Sequence, residues 1–437
     1  MKHPRSKIVM GAVSSAVLLC CLPAVAQEDP GRQGQLSYGV GFDYDFDDGL
    51  EATSDVAVTL TSRTRASELE LTFGTELFGD FTDDGTDDFE FEESFIELTY
   101  TRTGPNSALT LSGGYTETDL EDELVGTTIA DGGKQETVSA SIDLETGIEG
   151  PFGVTLGLAY EDRAFVDTTD PDLSDDTTVS ADILARFELS RAMTVRARAG
   201  ISDVDDDEAG GTERETSYVG IGLETSNASG LSFRSDLLFD RADVTTTAPA
   251  SSSTEEGIGL ELDLVQDRPA GSVEFSFSSR IDETGRRTEA EVTRAFDTRT
   301  GGLTASLGVV DQEGTSSLQV IGALSYAMEL PDGELSAGLT RTASTEDGDA
   351  VLGTTVELSY LKEIDPISSW SAELEYVETE DLGLGSADSR SSATLSYSRD
   401  ITPEWSLSTG YTYARDDDGD TDNSIFLNIG RDITFGF

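Results

Sequence analysis

The 437-residue chain carries 86 acidic and 28 basic side chains, which gives a formal net charge of −58. Such a charge repels nucleic acid, so nucleic acid is excluded as a partner. The only histidine is His3 and the only cysteines are Cys20 and Cys21, all in the amino-terminal segment.

This amino-terminal segment has the three parts of a secretory signal peptide. Lys2, Arg5 and Lys7 precede an apolar stretch over 8–22, which is too short for a membrane-spanning helix. Small residues then lead to Ala26, after which we predict cleavage. The predicted organisation is a signal peptide over 1–26, a short periplasmic segment over 27–34 and one folded domain over 35–437.

Cleavage would leave a chain without histidine or cysteine. Nucleophilic sites of the Ser–His and Cys–His kinds need an imidazole or a thiol. Most zinc sites are also built from cysteine and histidine. The sequence therefore predicts that the protein is not an enzyme, and it indicates no cofactor and no metal site.

Apolar and polar residues alternate strictly in runs of roughly nine to thirteen residues throughout the rest of the chain. This period of two is typical of β-strands that have two different faces. The run from Leu36 to Tyr44 is the first example, and the run from Trp405 to Tyr413 is one of the last. Counting the runs predicts about 22 strands, within a range of about 18 to 24.

Short and long connections alternate between the predicted strands. Tight turns are indicated at 104–107, 190–193, 227–230, 331–333 and 400–403 by proline, glycine and asparagine. Longer, mostly acidic loops are predicted at 79–92, 118–134, 166–177, 245–256 and 416–422. This rhythm is typical of membrane barrels, whose periplasmic turns are short and whose exterior loops are longer.

Aromatic residues on the apolar face lie near the strand ends, which fits two girdles at the two membrane surfaces. The predicted girdle residues are Tyr44, Tyr100, Tyr115, Tyr160, Tyr360, Trp370, Tyr397, Trp405, Tyr411 and Tyr413.

The opposite face is too polar to be a second packed face, and a water-filled lumen tolerates such charges whereas lipid does not. The residues predicted to face the lumen are Glu70, Asp182, Arg186, Arg196, Arg198, Arg234, Asp236, Glu373 and Glu375.

The last strand resembles the assembly signal of Gram-negative outer-membrane β-barrels. That signal has a polar residue, a glycine two positions later, alternating hydrophobic residues and a terminal aromatic. The matching residues are Asn428, Gly430, Ile433, Phe435 and Phe437.

The resemblance implies an all-β fold, namely a single closed antiparallel transmembrane barrel of a porin-like kind in the outer membrane of a Gram-negative bacterium. It also implies insertion by the barrel-assembly machinery and contact with outer-membrane lipid and lipopolysaccharide. The oligomeric state stays open, with a homo-oligomer as one alternative.

The leading functional hypothesis is a passive, porin-like diffusion channel for small cationic or polar solutes. An acidic mouth concentrates cations and repels anions. Only about eight residues separate the cleavage site from the first strand, so we expect no amino-terminal plug of the kind found in siderophore transporters. The loop predicted to narrow the pore is 118–134, with Asp119, Glu121, Asp122, Glu123 and Asp131.

The alternative hypothesis is a structural or interaction barrel at the cell surface. Its acidic loops would bind divalent cations, lipopolysaccharide or a protein partner. Asp418, Asp420 and Asp422 alternate along one loop, and calcium favours several carboxylate oxygens on a flexible segment. The loop lacks the glycine and the final glutamate of the twelve-residue calcium motif.

Overall fold

The structure is a computed structural model that describes residues 31–436 except 46–48, 82–87, 126–127, 169–172, 207–210, 248–249, 316–317, 347–348, 383–386, 417–418 and 420. The predicted signal peptide lies outside the described residues, so its cleavage stays a prediction. The described part is all-β, and it contains no helix long and apolar enough to cross a membrane.

Twenty-two antiparallel strands follow one another in chain order, which confirms the predicted fold class and strand number. Their bounds are β1 Arg32–Asp45, β2 Gly49–Arg63, β3 Ser67–Phe81, β4 Asp88–Gly104, β5 Ser107–Val125, β6 Thr128–Thr146, β7 Phe152–Val166, β8 Asp176–Ser190, β9 Met193–Asp206, β10 Thr212–Ser226, β11 Leu231–Thr247, β12 Ala250–Arg268, β13 Gly271–Asp282, β14 Gly285–Thr298, β15 Gly301–Gln312, β16 Gln319–Leu330, β17 Gly333–Glu346, β18 Asp349–Asp365, β19 Ser368–Asp381, β20 Ala387–Thr402, β21 Trp405–Asp416 and β22 Thr421–Gly436.

The barrel is closed by pairing between its first and last strands. The register of β1 with β22 runs from Gln33 opposite Gly436 to Asp45 opposite Ser424. Closure leaves no free sheet edge, and within hydrocarbon every backbone amide and carbonyl must find such a partner.

The outer face of the barrel is an apolar surface. Residues directly opposite each other on adjacent strands share a face, so the register extends each strand's alternation around the barrel. Ile221 is 64% exposed and Leu307 is 68% exposed on this outer face. Because a soluble sheet would bury such side chains, this face is the one that contacts lipid.

The connections define two ends of the barrel, which we call the short-turn end and the loop end. The predicted turns lie at the short-turn end, as do Gln33 and Gly436. At the turn between β10 and β11, the side chain of Asn227 accepts hydrogen bonds from the backbone N–H groups of Ser229 and Leu231. Asparagine in this role replaces a backbone turn contact, which explains why it signals a turn in the sequence.

The predicted long loops are shorter than expected, because the strands continue into them. Residues 118–134 were predicted as a loop, but β5 and β6 pair out to Val125 opposite Thr128. The segment is therefore a β-hairpin that contains irregular positions. Strands of 12 to 19 residues exceed the roughly 9–11 residues that cross a membrane, so several hairpins project beyond it. Polar segments that lie outside the membrane can still pair as β-strands. The apolar alternation, which marks only the part within the membrane, does not reveal this extension.

Candidate functional site

The inner face of β9–β13 carries a network of ion pairs centred on Asp236. This carboxylate is fully buried and accepts a hydrogen bond from Arg196, two strands away on β9. Arg234 donates to it from Nε at 3.2 Å, and a guanidinium nitrogen of Arg198 lies 3.7 Å away. Three arginines thus surround one carboxylate, which compensates the cost of burying its charge.

Arg280 on β13 extends this network across two further strands. It donates to Asp240 at 2.9 Å and to Glu261 at 2.7 Å. Arg198 also reaches Glu261, at 2.8 Å. The ring of Tyr218 lies 5.1 Å from the guanidinium carbon of Arg198 and 4.9 Å from that of Arg280, a distance at which both cations interact with the ring. The network therefore joins β9, β10, β11, β12 and β13 by side chains as well as by backbone pairing.

Glycines make room for the carboxylates of this network. A Cβ atom on Gly222 would overlap the carboxylate of Asp236, which lies opposite on β11. A Cβ atom on Gly259 would overlap the carboxylate of Asp240 in the same way. Both acidic side chains consequently lie flat along the wall instead of projecting into the lumen.

A second stretch of the inner face, on β1–β3 and β21–β22, is acidic. Its groove has a volume of about 540 Å³. Asp43, Glu51, Asp55 and Glu76 line it, and its described lining includes no arginine or lysine. We call these four residues the acidic groove. Four carboxylates gathered on one stretch of the inner face favour cations over anions.

The exterior part of the β17–β18 hairpin folds inward at the loop end. Leu352 lies on the same face of β18 as the lipid-exposed Val356 and Leu358, yet it is fully buried. It packs against Val310 and Ile321, which lie on the inner face of β15 and β16. An outward-facing side chain can contact inward-facing ones only where its strand has crossed to the inner side of the wall.

The strand pairing shows where this crossing begins. The pairing of β16 with β17 stops at Gly322 opposite Arg341, although β17 and β18 stay paired out to Glu346 opposite Asp349. Beyond that point, Ala343 and Leu382 complete the apolar cluster around Leu352. We call this cluster, with Val310 and Ile321, the mouth cluster.

The β13–β14 hairpin leans inward in the same manner. The pairing of β12 with β13 stops at Leu260 opposite Ser279, although both strands continue. Past this point the backbone N–H of Ile281 donates to Asp240 on the inner face of β11, at 3.4 Å. The charged network is therefore attached directly to a hairpin at the mouth.

The two inward hairpins also meet each other. The hydroxyl of Thr345 donates to Asp282 at 3.4 Å, joining the β17–β18 and β13–β14 hairpins. The amide of Gln312 donates to the hydroxyl of Thr284 at 2.6 Å, from the end of β15. These contacts cover part of the barrel mouth on its β11–β19 side.

The structure places the residues predicted to face the lumen on one phase of the sheet, opposite to the lipid-exposed residues. Arg196, Arg198, Arg234 and Asp236 come together in the network, whereas Arg186 donates to the carbonyl groups of Gly147 and Ile148 in a turn. The other four are dispersed, with Glu373 and Glu375 on β19, Glu70 on β3 and Asp182 on β8.

The predicted constriction segment lies on the β5–β6 hairpin. Asp119 is opposite Lys134 and Glu121 is opposite Asp131 in its register. The side chains of Glu121, Asp122, Glu123 and Asp131 lie outside the described residues, so narrowing by this hairpin stays a prediction. The inward contacts described above come from other hairpins.

The predicted girdle residues share the lipid-facing phase. Tyr360 and Trp370 meet edge to face at 5.0 Å near the short-turn end, and Trp370 lies opposite Tyr397. Trp405 contacts the ring of Tyr38 at 5.8 Å, and the guanidinium of Arg431 lies 5.3 Å from the indole. Six members lie elsewhere on this face: Tyr44, Tyr100, Tyr115, Tyr160, Tyr411 and Tyr413.

The residues of the predicted assembly signal lie on the closing strand β22. Asn428 is opposite Gly41 and Gly430 is opposite Gly39, both on the inner phase. Ile433 and Phe435 lie on the outer phase, and the ring of Phe435 covers Gly34 of β1. Phe437 is outside the described residues. A role in assembly stays a prediction.

Sequence reasoning missed Asp240, Glu261, Arg280 and Tyr218 because nothing in one strand's alternation reveals a partner two strands away. It also missed the mouth cluster, for which a signal existed. Val309–Val310 and Val351–Leu352 are adjacent apolar pairs that break the alternation. Such a pair places one apolar side chain on each face, which a wet lumen would not favour.

No protein-family model matches the chain, and no curated protein sequence matches it. Solved structures do share its fold. The FrpB iron transporter from Neisseria meningitidis (F5-1 variant) is similar with a TM-score of 0.64 and 9% identity, over 96% of this chain and 84% of that one.

Two further similar structures are receptors. The ferric enterobactin receptor PfeA from Pseudomonas aeruginosa gives a TM-score of 0.61 at 9% identity, over 92% of this chain and 80% of that one. The ferric-catecholate import receptor Fiu from E. coli K12 gives 0.61 at 8% identity, over 92% and 81%. The chain thus has the fold of Gram-negative outer-membrane receptor barrels.

These findings overturn both functional predictions made from the sequence. The passive-channel prediction is wrong, because the barrels of this architecture are an iron transporter and import receptors and because hairpins cover part of the mouth. The surface-structural alternative does not fit transport proteins either. The error arose from treating a lumen with no recognised plug as an open passage.

Proposed function

We propose that this outer-membrane-type barrel is a gated uptake receptor, exported by its signal peptide to the outer membrane, that admits a positively charged ligand. The observation that carries the proposal is that inward hairpins cover part of the mouth, while the acidic groove brings four carboxylates together on another part of the inner wall. The similarity to an iron transporter and two ferric-siderophore receptors supports transport as the role of this architecture.

The width of the barrel supports a need for gating. Strands about 4.8 Å apart and tilted by about 40° give a 22-stranded barrel a diameter of about 44 Å between backbones. An unrestricted passage of that size would let small solutes leak across the membrane. Restriction by hairpins that a ligand displaces reconciles a wide lumen with selective entry.

The charge of the inner wall supports a cationic ligand. The network on β9–β13 pairs each of its arginines with a carboxylate, so it offers little free positive charge to an anion. The acidic groove adds four carboxylates, and Glu357, Glu373 and Glu375 add three on β18 and β19. An anionic ferric triscatecholate would be repelled here, whereas a cationic ferric trihydroxamate would be attracted.

A binding comparison tests this proposal. The purified barrel in detergent would be titrated with a cationic ferric trihydroxamate and an anionic ferric triscatecholate at low and at physiological ionic strength. We expect at least tenfold tighter binding of the cationic complex, weakened by salt and by the triple variant Glu51→Gln, Asp55→Asn and Glu76→Gln. The matched control is Glu213→Gln, Glu215→Gln and Glu256→Gln, away from the groove. Equal or preferred binding of the anionic complex would contradict the proposal.

A further inference from the structure

The lipid-facing phase of the barrel carries different charges at its two ends. At the short-turn end its charged strand residues are nearly all basic, namely Arg32, Arg102, Arg268, Arg294, Lys362, Arg399 and Arg431. Asp365, at the bulge that ends β18, is the acidic exception among the described strand residues there. Towards the loop end the same phase carries acids, including Glu136, Asp162, Asp203, Glu215 and Glu256. A chain with a formal net charge of −58 thus presents mostly positive charge to one membrane surface.

Two of these arginines flank the first residues of β13. Arg268, at the end of β12, lies opposite Gly271, and Arg294 on β14 lies opposite Val273. Strands about 4.8 Å apart with a rise of about 3.4 Å per residue place the two arginine Cα atoms roughly 12 Å apart. Two arginine side chains can span that distance around one phosphate. Because Gly271 has no side chain, the wall between them is open at its row.

Arg294 has unused hydrogen-bonding capacity on this face. Its guanidinium carbon lies 4.3 Å from the centroid of the Phe296 ring, a cation–π contact that holds the group against the outer wall. Its Nη1 atom is buried and has no hydrogen-bond partner among the described residues. Buried donors of native proteins are normally satisfied, and on the lipid side of a barrel the acceptors are the oxygens of lipid headgroups.

The surrounding side chains match the upper part of a phospholipid. Arg268 is exposed, Phe296 is 42% exposed, and Phe275 on the same face of β13 is 39% exposed. The neighbouring acids Asp267 and Asp297 belong to the opposite phase of the sheet. Aromatic rings beside cationic side chains are typical of the headgroup level of membrane proteins, with acyl chains below.

We propose that Arg268 and Arg294 bind the phosphate of an anionic phospholipid in the leaflet at the short-turn end. Arginine has the planar donor geometry that matches phosphate oxygens. A headgroup with net negative charge is favoured over a zwitterionic one, because it brings no cation beside the two arginines. The short turns of such barrels face the periplasm, so the site takes a lipid of the inner leaflet. It lies outside the lumen and is independent of the ligand proposed above.

Lipid titration of the full barrel in a non-ionic detergent, followed by native mass spectrometry, tests this site. The probes are phosphatidylglycerol and phosphatidylcholine with identical acyl chains. We expect phosphatidylglycerol to bind about tenfold more tightly, and the double variant Arg268→Gln and Arg294→Gln to lose this preference. The double variant Arg268→Lys and Arg294→Lys keeps both charges and should keep most of the preference.

The matched control is the double variant Arg65→Gln and Arg191→Gln, which removes two exposed arginines from turns at the same end. It should leave the preference for phosphatidylglycerol unchanged. Arg268→Gln alone changes an exposed position and should give an intermediate preference. Gel mobility of unheated samples would identify the folded barrel in each preparation.

The site would be overturned if the parent barrel bound both lipids equally, or if the control variant lost the preference as fully as the double variant at Arg268 and Arg294. Displacement of phosphatidylglycerol by millimolar inorganic phosphate would mean that the arginines bind a free anion. Binding of purified lipopolysaccharide through the same two arginines would place the site in the opposite leaflet.

Discussion

Arg196 on β9 donates a hydrogen bond to Asp236 on β11, across a strand that contributes only Gly222 at the point between them. The pair is possible because the glycine leaves the intervening wall free of a side chain. Asp236 is fully buried and its acceptor oxygen is shared with Arg234 and Arg198. The side chains of Arg196, Arg198 and Arg234, and the glycine at position 222, therefore all depend on the carboxylate of Asp236. These positions lie on β9, β10 and β11.

Replacing this carboxylate should destabilise the barrel. Asp236→Ala leaves three arginines facing one another without their shared acceptor, and loss of one partner from a buried ion pair costs about 3–5 kcal/mol. The midpoint of urea unfolding, followed by tryptophan fluorescence in detergent, would measure the change. Asp263→Ala is the control, because its contact with Arg234 is long at 3.9 Å and its side chain is 37% exposed. An equal shift of the urea midpoint in the two variants would contradict a stabilising role of the network around Asp236.

A methyl group added at Gly222 should also destabilise the barrel, but by less. Gly222→Ala places a Cβ atom against the carboxylate of Asp236, and overpacking of this kind typically costs about 1–3 kcal/mol. Samples would be heated to a series of temperatures and then separated by gel electrophoresis, in which folded and unfolded barrel migrate differently. The temperature of unfolding would report the destabilisation. Gly338→Ala is matched to it, since the nearest atom to its added Cβ would be 3.6 Å away. Equal unfolding temperatures for the two alanine variants would contradict a requirement for glycine at position 222.

A charge in the mouth cluster should open the mouth. Leu352→Asp buries an unpaired carboxylate against Val310 and Ile321, so the closed arrangement becomes strongly unfavourable. Mean conductance in planar bilayers should rise at least twofold. Thr342→Asp adds the same charge to an exposed position of the same hairpin and should leave conductance near that of the parent. A folded Leu352→Asp barrel with parental conductance would contradict a role of the cluster in closure.

The aromatic contact at the closing strands should matter for heat stability. Trp405→Ala removes the edge-to-face contact with Tyr38 and the cation–π contact with Arg431, each worth about 0.5–1.5 kcal/mol. We expect the temperature at which the barrel unfolds in gel electrophoresis to fall by several degrees. Leu427→Ala removes a lipid-exposed side chain of β22 and should lower it less. A larger drop for Leu427→Ala would refute this assignment.

The sequence was sufficient for the fold because the dominant constraint is local. A lipid-facing strand must alternate, and a closed barrel needs an even number of strands when both ends lie at short turns. Asn227 marked its turn by its own side-chain chemistry, because it accepts hydrogen bonds from backbone N–H groups of the same turn. Strand number and strand order follow from such local signals.

The site was only partly predictable because its contacts are not local. Alternation placed Arg196, Arg198 and Asp236 on one face, but it could not show that Arg198 on β9 and Arg280 on β13 share Glu261, within a span of five strands. The crossing of the β17–β18 hairpin to the inner side depends on where pairing with β16 stops. That point, and the packing of Leu352 on residues of β15 and β16, involve several strands at once and cannot be read from any single strand.

The carboxylates folded down over Gly222 and Gly259 also determine what a travelling molecule meets. Because these carboxylates lie along the backbone, the wall from β9 to β13 projects less into the lumen than extended acidic side chains would. The lumen beside this wall is therefore wider than the size of its residues suggests. An entering molecule would meet charges that are already paired with one another.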